Sequence, residues 1–149
     1  MPFIICDLDG TLCNIKHREH LVQAGQYEEF NAAHVNDDPH GEVQEMLWCM
    51  QNAGHSLIIC SGRSEKHRPS TLEWLDKVAD VHPDVVLMRP ELDYRPDTVV
   101  KASLLVDHFG EPLEKIREKV LLVLEDRDKM VAFWRNNGFD CWQVRDGSY

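Results

Sequence analysis

The sequence predicts a three-layer α/β fold, in which helices cover both faces of a parallel, Rossmann-like sheet of five strands. Three observations indicate this class. Short apolar runs recur along the 149 residues, at 3–6, 56–60, 84–88, 120–124 and 139–144. The segments between them carry apolar residues at helical spacing. Polar residues follow several runs directly, as at the functional edge of a parallel sheet. We expect residues 1–149 to form one domain, because this length suits a single hydrophobic core.

The first strand is predicted at Phe3–Cys6, because a run rich in β-branched and aromatic residues is typical of a buried strand. The polar segment after it contains one short helix, predicted over 26–35, and the proline-containing residues 36–39 end that helix. We therefore expect a small helical flap over about 13–40, inserted after strand one.

The middle of the chain alternates helices and strands. Apolar residues at intervals of three and one predict an amphipathic helix over 41–52. The second strand is predicted at Ser56–Cys60. A helix over 64–78 follows, with Ser64 as a candidate cap, and the third strand lies at 84–88.

The second half continues this alternation between recognisable start and stop signals. Asp97 is a candidate helix cap, and Gly138 is a helix stop signal. The predicted elements in chain order are a helix from Asp97 toward Phe109, an amphipathic segment over 112–119, a strand at Val120–Leu124, a helix over 130–137 and a strand at 139–144.

Strand one leads into the string Asp7-Leu8-Asp9-Gly10-Thr11. At the carboxyl end of a parallel strand, Asp7 and Asp9 should project into a crevice. Leu8, between them, should point the other way and pack against apolar residues. Two carboxylates this close repel each other unless a cation lies between them, and an oxygen-preferring ion such as Mg2+ fits. An Asp-Gly hairpin turn is the alternative interpretation. The full D-x-D-G-T string after a buried strand favours a catalytic motif.

Two further segments bring polar groups to the same edge. Strand two ends in Ser61-Gly62-Arg63, a hydroxyl and free backbone N–H groups that suit a phosphate oxygen. Lys101 lies near the start of the helix after strand three, where an ammonium can neutralise a nucleophile and the developing phosphoryl charge. The alternative for Lys101 is an ordinary surface lysine.

Strand four ends in the acidic pair Glu125-Asp126, which would complete a Mg2+ site with Asp7 and Asp9. Asp126 is the better ligand candidate. Glu125 is a possible second or outer ligand.

Basic residues are concentrated in the loops at the predicted strand ends. Arg18 is the preferred phosphate ligand of the flap, because a guanidinium binds phosphate bidentately, although a solvated surface position is the alternative. On an acidic protein these residues should form a local positive funnel, made of Arg18, Arg63, Lys66, Arg68, Arg89 and Arg95.

The bulk composition excludes several classes of protein. A formal net charge of −10 argues against nonspecific nucleic-acid binding by the whole surface. Five cysteines without a C-x-x-C spacing favour free thiols and a reducing cytoplasm over a disulfide framework. Asp7 interrupts the first apolar run, so we expect no signal peptide, and no run approaches membrane-spanning length. The oligomeric state stays open.

The strings after strands one, two and four, with Lys101, resemble the four motifs of the haloacid dehalogenase superfamily of phosphotransferases. This resemblance implies that Asp7 is the nucleophile of an aspartyl-phosphate mechanism. It implies that Asp9 is the general acid/base and that its backbone carbonyl helps to hold Mg2+. Phosphate-binding roles then go to Thr11, Ser61, Gly62 and Lys101. Many relatives carry Asp-Asp at the fourth motif, so Glu125 departs from the family pattern.

A closer similarity is to the 3′-phosphatase domain of bacteriophage polynucleotide kinase–phosphatases. It rests on the strings S-G-R, D-Y-R-P-D-T-V-V-K, E-D-R-D-K-M-V-A-F-W-R-N-N-G and C-W-Q-V, and it extends over most of the chain. It implies that Arg63 and Arg95, joined by Arg18, hold the phosphate or the nucleic-acid backbone. No Gly-rich G-K-[S/T] phosphate loop occurs in these residues, so we expect phosphate removal and not transfer from ATP.

The substrate class remains open between two possibilities. No large cap insertion separates Asp9 from Ser61 or Ser61 from Lys101, and an open site suits a 3′ phosphate on a DNA or RNA end. A free nucleotide held by the flap is the alternative. A non-enzymatic alternative is a phospho-accepting receiver or an inactive binding module. Receivers carry the acceptor Asp at the end of strand three, where this chain has Met88-Arg89.

Overall fold

The structure, a computed structural model, describes all 149 residues and contains one parallel five-stranded sheet. Every neighbouring pair of strands is parallel, and the strand order is β3-β2-β1-β4-β5. The predicted fold class is confirmed. The strands are β1 (Phe3–Cys6), β2 (Ser56–Ser64), β3 (Val85–Arg89), β4 (Val120–Glu125) and β5 (Cys141–Gln143).

Seven helices and three short 3-10 turns connect the strands. None of the helices is both long enough and apolar enough to cross a membrane. The helices are α1 (Glu19–Gln23), α2 (Tyr27–Ala32), α3 (Gly41–Asn52), α4 (Arg68–Lys77), α5 (Asp97–Phe109), α6 (Leu113–Ile116) and α7 (Asp128–Asn136), and the 3-10 turns are Ala33–Asn36, Glu65–His67 and Arg117–Lys119.

The core lies in two layers, one on each face of the sheet. Successive side chains of a strand point to opposite faces. Ile4 of β1 therefore joins a buried cluster that includes Trp74 of α4, whereas Ile5 joins a second cluster with Trp134 of α7. All four side chains are at most 2% exposed. This two-sided burial explains why the first run is apolar at every position.

Several element boundaries differ from the sequence-based expectation. Strand two continues to Ser64 because it resumes pairing with β3 after a register shift between Ser61 and Ser64. Strand five begins two residues late, because the N–H of Phe139 still bonds to the carbonyl of Trp134 at the end of α7. The expected helix over 26–35 is a short helix followed by a 3-10 turn, and α1 was not predicted. Asp97 is the first residue of α5, and its side chain makes no capping hydrogen bond.

Candidate active site

Side chains from the sheet, the flap and α5 line one cavity of about 1150 Å³ at the carboxyl ends of the strands. Asp7 and Lys101 lie on its lining, as the sequence predicted for a shared crevice. The flap contributes Tyr27 and Phe30, and the loop between β3 and α5 contributes residues 90–96. The topology explains this convergence, because parallel strands end at the same edge of a sheet.

The carboxylate of Asp7 is held by a lysine and a threonine. The ammonium Nζ of Lys101 donates to Asp7 Oδ1 at 2.8 Å and to Glu125 Oε2 at 2.9 Å. The hydroxyl of Thr11 lies 3.1 Å from Asp7 Oδ2. Although burial opposes the charge of Lys101, Asp7 and then Glu125 raise its pKa well above the usual value. The lysine therefore stays protonated, and it fixes the orientation of the Asp7 carboxylate.

Three buried carboxylates form an acidic cluster beside Lys101. Oxygen atoms of Asp7, Glu125 and Asp126 all lie within 4.8 Å of one another. Burial and then the charge of Asp7 raise the pKa of Asp126 to about 7, and the same two causes raise the pKa of Glu125 well above its usual value. A bound divalent cation would offset this repulsion, and carboxylate oxygens are the ligands that Mg2+ prefers. The donor set therefore fits a magnesium ion.

The side chain of Asp9 lies apart from this cluster, because two arginines hold it. Asp9 Oδ1 accepts from Arg18 Nη2 at 2.6 Å and from Arg63 Nη2 at 2.5 Å. Burial alone would raise the pKa of Asp9, but the guanidinium groups of Arg63 and Arg18 hold it well below the usual value. Asp9 was predicted to bind metal. With its carboxylate held by two arginines, it can reach a metal at the acidic cluster only through its backbone carbonyl.

Arg18 connects the flap to the sheet. Its side chain is fully buried, and Nε and Nη2 donate to the carboxylate of Asp37 at 2.8 and 2.5 Å. Nη1 donates to the carbonyl of Phe30, and the guanidinium lies 4.2 Å from the centre of the Phe30 ring. The structure thus places Arg18, the predicted phosphate ligand, next to Asp9, and each of its guanidinium nitrogens already donates to a protein acceptor.

The predicted residues of strand two occupy different positions at its end. The hydroxyl of Ser61 is buried and accepts the backbone N–H of Arg63 at 3.0 Å, and it makes no hydrogen bond to Asp7 or Lys101. Gly62 lies on the cavity lining. A side chain at Gly62 would collide with the carboxylate of Asp97, which a Cβ would approach to 2.5 Å. Glycine is therefore required for the close packing of β2 against the start of α5.

The expected positive funnel does not form. Each of its six basic residues is paired with a carboxylate, so the guanidinium and ammonium charges are largely neutralised. The pairs are Arg18 with Asp37 and Asp9, Arg63 with Asp9, Lys66 with Glu28, Arg68 with Glu65, Arg89 with Asp97, and Arg95 with Asp93. Across the whole sequence the 26 acidic residues outnumber the 16 lysines and arginines.

Sequence reasoning missed two residues of the site. Asp37 accepts from both Arg18 and His17, yet its sequence context indicated only a helix-ending loop. Tyr149 belongs to the final segment, and its hydroxyl bonds to the Asp126 carboxylate and lies 3.5 Å from the Asp9 carbonyl. No local pattern marked either contact, because both join residues that are distant in sequence.

Gly10 gives a prediction about the shape of the site. Its φ is 84°, and a Cβ there would overlap the carboxylate of Asp126 and the hydroxyl of Tyr149. We expect Gly10→Ala to lose at least about tenfold of the phosphatase activity that the sequence resemblance implies, since Asp126 must move away from Asp7. Phosphate release from an activated aryl phosphate measures this.

Gly25 is the matched control for Gly10. It has a similar φ of 73°, but nothing lies within 4 Å of a Cβ at that position. Gly25→Ala should cost only the strain of a left-handed residue, about 1–2 kcal/mol, with activity unchanged. Equal losses of activity in the two variants would contradict the collision with Asp126.

The chain is similar in sequence and in fold to known phosphatase domains. Residues 2–149 match the family described as the polynucleotide kinase PNKP phosphatase domain. Chains from two solved Pnkp1/Rnl/Hen1 complexes, one named as an RNA repair complex, are each 30% identical to this chain, with TM-scores of 0.84 and 0.83. The matches cover 100% and 99% of this chain but only 44% and 47% of those chains. The chain thus spans less than half the length of these relatives.

Two further proteins have lower sequence identity to this chain. A proposed bifunctional polynucleotide kinase/RNA ligase of Autographa californica nuclear polyhedrosis virus is 25% identical over 134 residues, which are 89% of this chain and 18% of the viral protein. CbbY from Rhodobacter sphaeroides, solved with phosphate, is 13% identical with a TM-score of 0.63, and the match covers 95% of this chain and 85% of CbbY. At that identity the match shows the fold alone.

Proposed function

The chain belongs to the family of polynucleotide kinase PNKP phosphatase domains, and from this premise we propose that it removes the 3′ phosphate from DNA or RNA ends. The family is a haloacid dehalogenase-type phosphatase family, which supports phosphatase chemistry for this chain. The observation that best supports the proposal is the grouping of Asp7 with a protonated Lys101 and an acidic cluster at one end of the sheet.

The proposed reaction has two steps at Asp7. A carboxylate oxygen of Asp7 attacks phosphorus, and the bond from phosphorus to the sugar oxygen breaks. The sugar oxygen takes a proton from Asp9. Asp9 can carry this proton only after its carboxylate has left the two guanidinium partners and has taken up a proton from solvent. Ionised Asp9 then accepts a proton from water, and the resulting hydroxide releases inorganic phosphate from Asp7. Lys101 and Thr11 hold Asp7 in place throughout.

Magnesium is the cofactor we propose. When bound, Mg2+ would supply positive charge that offsets repulsion between the carboxylates and the phosphoryl oxygens. Asp7 and Asp126 would hold it with the Asp9 carbonyl, and Glu125 is a further possible ligand. Ser61, Gly62 and backbone N–H groups would bind the phosphoryl oxygens, with contributions from Arg63, Arg18 and Arg95.

The domain organisation and setting remain part of the proposal. We treat residues 1–149 as one phosphatase domain with a flap at about 13–40. Arg18 of this flap bonds to Asp9. The five cysteines are all free, which suits a reducing, cytoplasmic environment.

The test is phosphate release from four single substrates: a 3′-phosphorylated oligonucleotide, its 5′-phosphorylated isomer, and the matched 3′- and 5′-mononucleotides. We expect kcat/KM to favour the oligonucleotide 3′ end by at least about tenfold, which is 1.4 kcal/mol of transition-state binding. Chelation of Mg2+ with EDTA should abolish release, and added Mg2+ should restore it. Equal or faster turnover of mononucleotides would move the assignment to free nucleotides. Full activity in EDTA would remove the metal from the proposal.

A further inference from the structure

We propose that Tyr94, with Leu92 beside it, forms a stacking surface for the bases that precede the phosphorylated nucleotide of a single-stranded nucleic acid. This inference rests on the proposed function, and it names the feature that would distinguish a strand end from a free nucleotide. The surface lies on the loop between β3 and α5, on the wall of the cavity that contains Asp7.

The two side chains are unusually exposed for their type. Tyr94 is 86% exposed and Leu92 is 83% exposed, the highest values among the large hydrophobic side chains of the chain. Exposed apolar residues are ordinary when they stand singly. Here two of them, two positions apart, line the same cavity as the nucleophile. Their exposure also places them at the rim, where they would meet the strand and not its phosphorylated end.

The loop that carries them is held from behind by one arginine. The Arg89 guanidinium donates to the carbonyl oxygens of Gly62, Asp93 and Arg95, and to the carboxylate of Asp97. The Asp93 carboxylate in turn accepts the N–H and the guanidinium of Arg95. A loop fixed in this way presents Tyr94 without a large ordering cost on binding, which favours a recognition surface over a loose surface loop.

Leu92 adds an observation about strain. It adopts φ 62°, one of only two non-glycine residues with positive φ in the chain. A left-handed leucine costs of order 1–3 kcal/mol, and such residues persist where the surroundings over-determine them, often at ligand-binding positions. Here the residue held in this conformation exposes an apolar side chain on the cavity lining.

Electrostatic capture by this cavity is weak, which leaves stacking as the main source of strand binding. Of the seven arginines and lysines on the lining, only Lys129 has no carboxylate partner. Phosphate contacts from unpaired cations normally dominate nucleic-acid affinity. Base–aromatic stacking is worth roughly 1–3 kcal/mol per base and tolerates any sequence. The cavity, of about 1150 Å³, is also slightly larger than the roughly 300–1,000 Å³ of typical small-molecule sites.

The experiment compares Tyr94→Ala with wild type on a 3′-phosphorylated single-stranded oligonucleotide and on a nucleoside 3′-monophosphate, which has no preceding base. We expect KM for the oligonucleotide to rise about tenfold, equivalent to 1.4 kcal/mol, with kcat unchanged. KM for the mononucleotide should not change. Tyr94→Phe should behave as wild type, since it retains the aromatic face.

Two controls separate stacking from a structural effect. Trp142→Ala removes another exposed aromatic, 52% exposed on β5 and outside this cavity, and should leave both KM values unchanged. An oligonucleotide whose preceding nucleotides are abasic should bind wild type about as weakly as the normal oligonucleotide binds Tyr94→Ala. Combining the abasic substrate with Tyr94→Ala should add no further loss, because both changes remove the same contact.

The outcomes assign failure to one proposal or the other. A wild-type chain that releases phosphate from the oligonucleotide 3′ end while Tyr94→Ala keeps the same KM would overturn the stacking surface alone. Additive losses from Tyr94→Ala and the abasic substrate would also overturn it. Absence of phosphate release by wild type from every 3′-phosphorylated probe would overturn the proposed function, and with it the role of Tyr94.

Discussion

Asp7→Asn should abolish phosphatase turnover, with a loss of at least about 10⁴-fold, because an amide oxygen cannot form the acyl-phosphate bond that the proposed mechanism requires. The loss should fall on kcat, since the variant removes the attacking atom and leaves the cavity shape unchanged. Single-turnover phosphate release from a 3′-phosphorylated oligonucleotide, with enzyme in excess, measures it.

The same variant should remain folded. Asparagine removes one negative charge from a cluster in which three carboxylates repel one another, while Lys101 keeps its bond to Glu125. Thermal unfolding should therefore occur at or above the wild-type midpoint. Leu8→Ala is the opposite control, because it removes a fully buried apolar side chain that carries no reacting group, and it should lower stability. Retained turnover in folded Asp7→Asn would disprove the nucleophile assignment.

Arg18→Met should destabilise the protein by roughly 3–5 kcal/mol, the usual effect of removing one partner from a buried ion pair. The guanidinium is fully buried, and its loss leaves the carboxylate of Asp37 with His17 as its remaining side-chain partner. The flap loses its strongest connection to Asp9 at the same time. Urea unfolding followed by circular dichroism gives the change in the free energy of unfolding.

Two companion variants make the Arg18 result specific. Arg95→Met changes an arginine that is bonded to Asp93 at the protein surface, and solvent screening should leave its stability indistinguishable from wild type. Arg18→Met combined with Asp37→Asn should recover part of the loss, because the unpaired buried charge is removed. Wild-type stability in Arg18→Met would contradict the structural role of Arg18 in the flap, whatever its effect on KM.

The sequence was most informative where a short local pattern carries the constraint. The run Phe3–Cys6 had to be a buried strand because every position is apolar, and the sheet buries both of its faces. The acidic pair Glu125-Asp126 could be placed beside Asp7 because parallel strands end at one edge. Lys101 was placed by the same reasoning, and the structure brings its ammonium to 2.8 Å from Asp7.

Ion pairs between residues that are distant in the chain could not be predicted from the sequence. Arg18 and Arg63 were expected to face a phosphate, yet both guanidinium groups are bonded to Asp9. The sequence shows that a basic residue lies near a strand end, but it does not show which group that residue binds. The binding partner depends on how the acidic side chains are arranged in three dimensions. Asp37 shows the same limit from the acidic side, because nothing near it in sequence indicated a buried ion pair.

The central position of β1 in the sheet has a kinetic consequence. The order β3-β2-β1-β4-β5 puts two strands on each side of the strand that leads into Asp7. Opening an outer strand breaks one ladder, whereas freeing β1 requires two ladders to break together. Amide protons of Ile4 and Ile5 should therefore exchange with deuterium only during global unfolding, while those of β5, paired only at three positions with β4, exchange through local opening. The edge of the sheet can thus fluctuate on short timescales while the attachment of the nucleophile persists for the lifetime of the folded state.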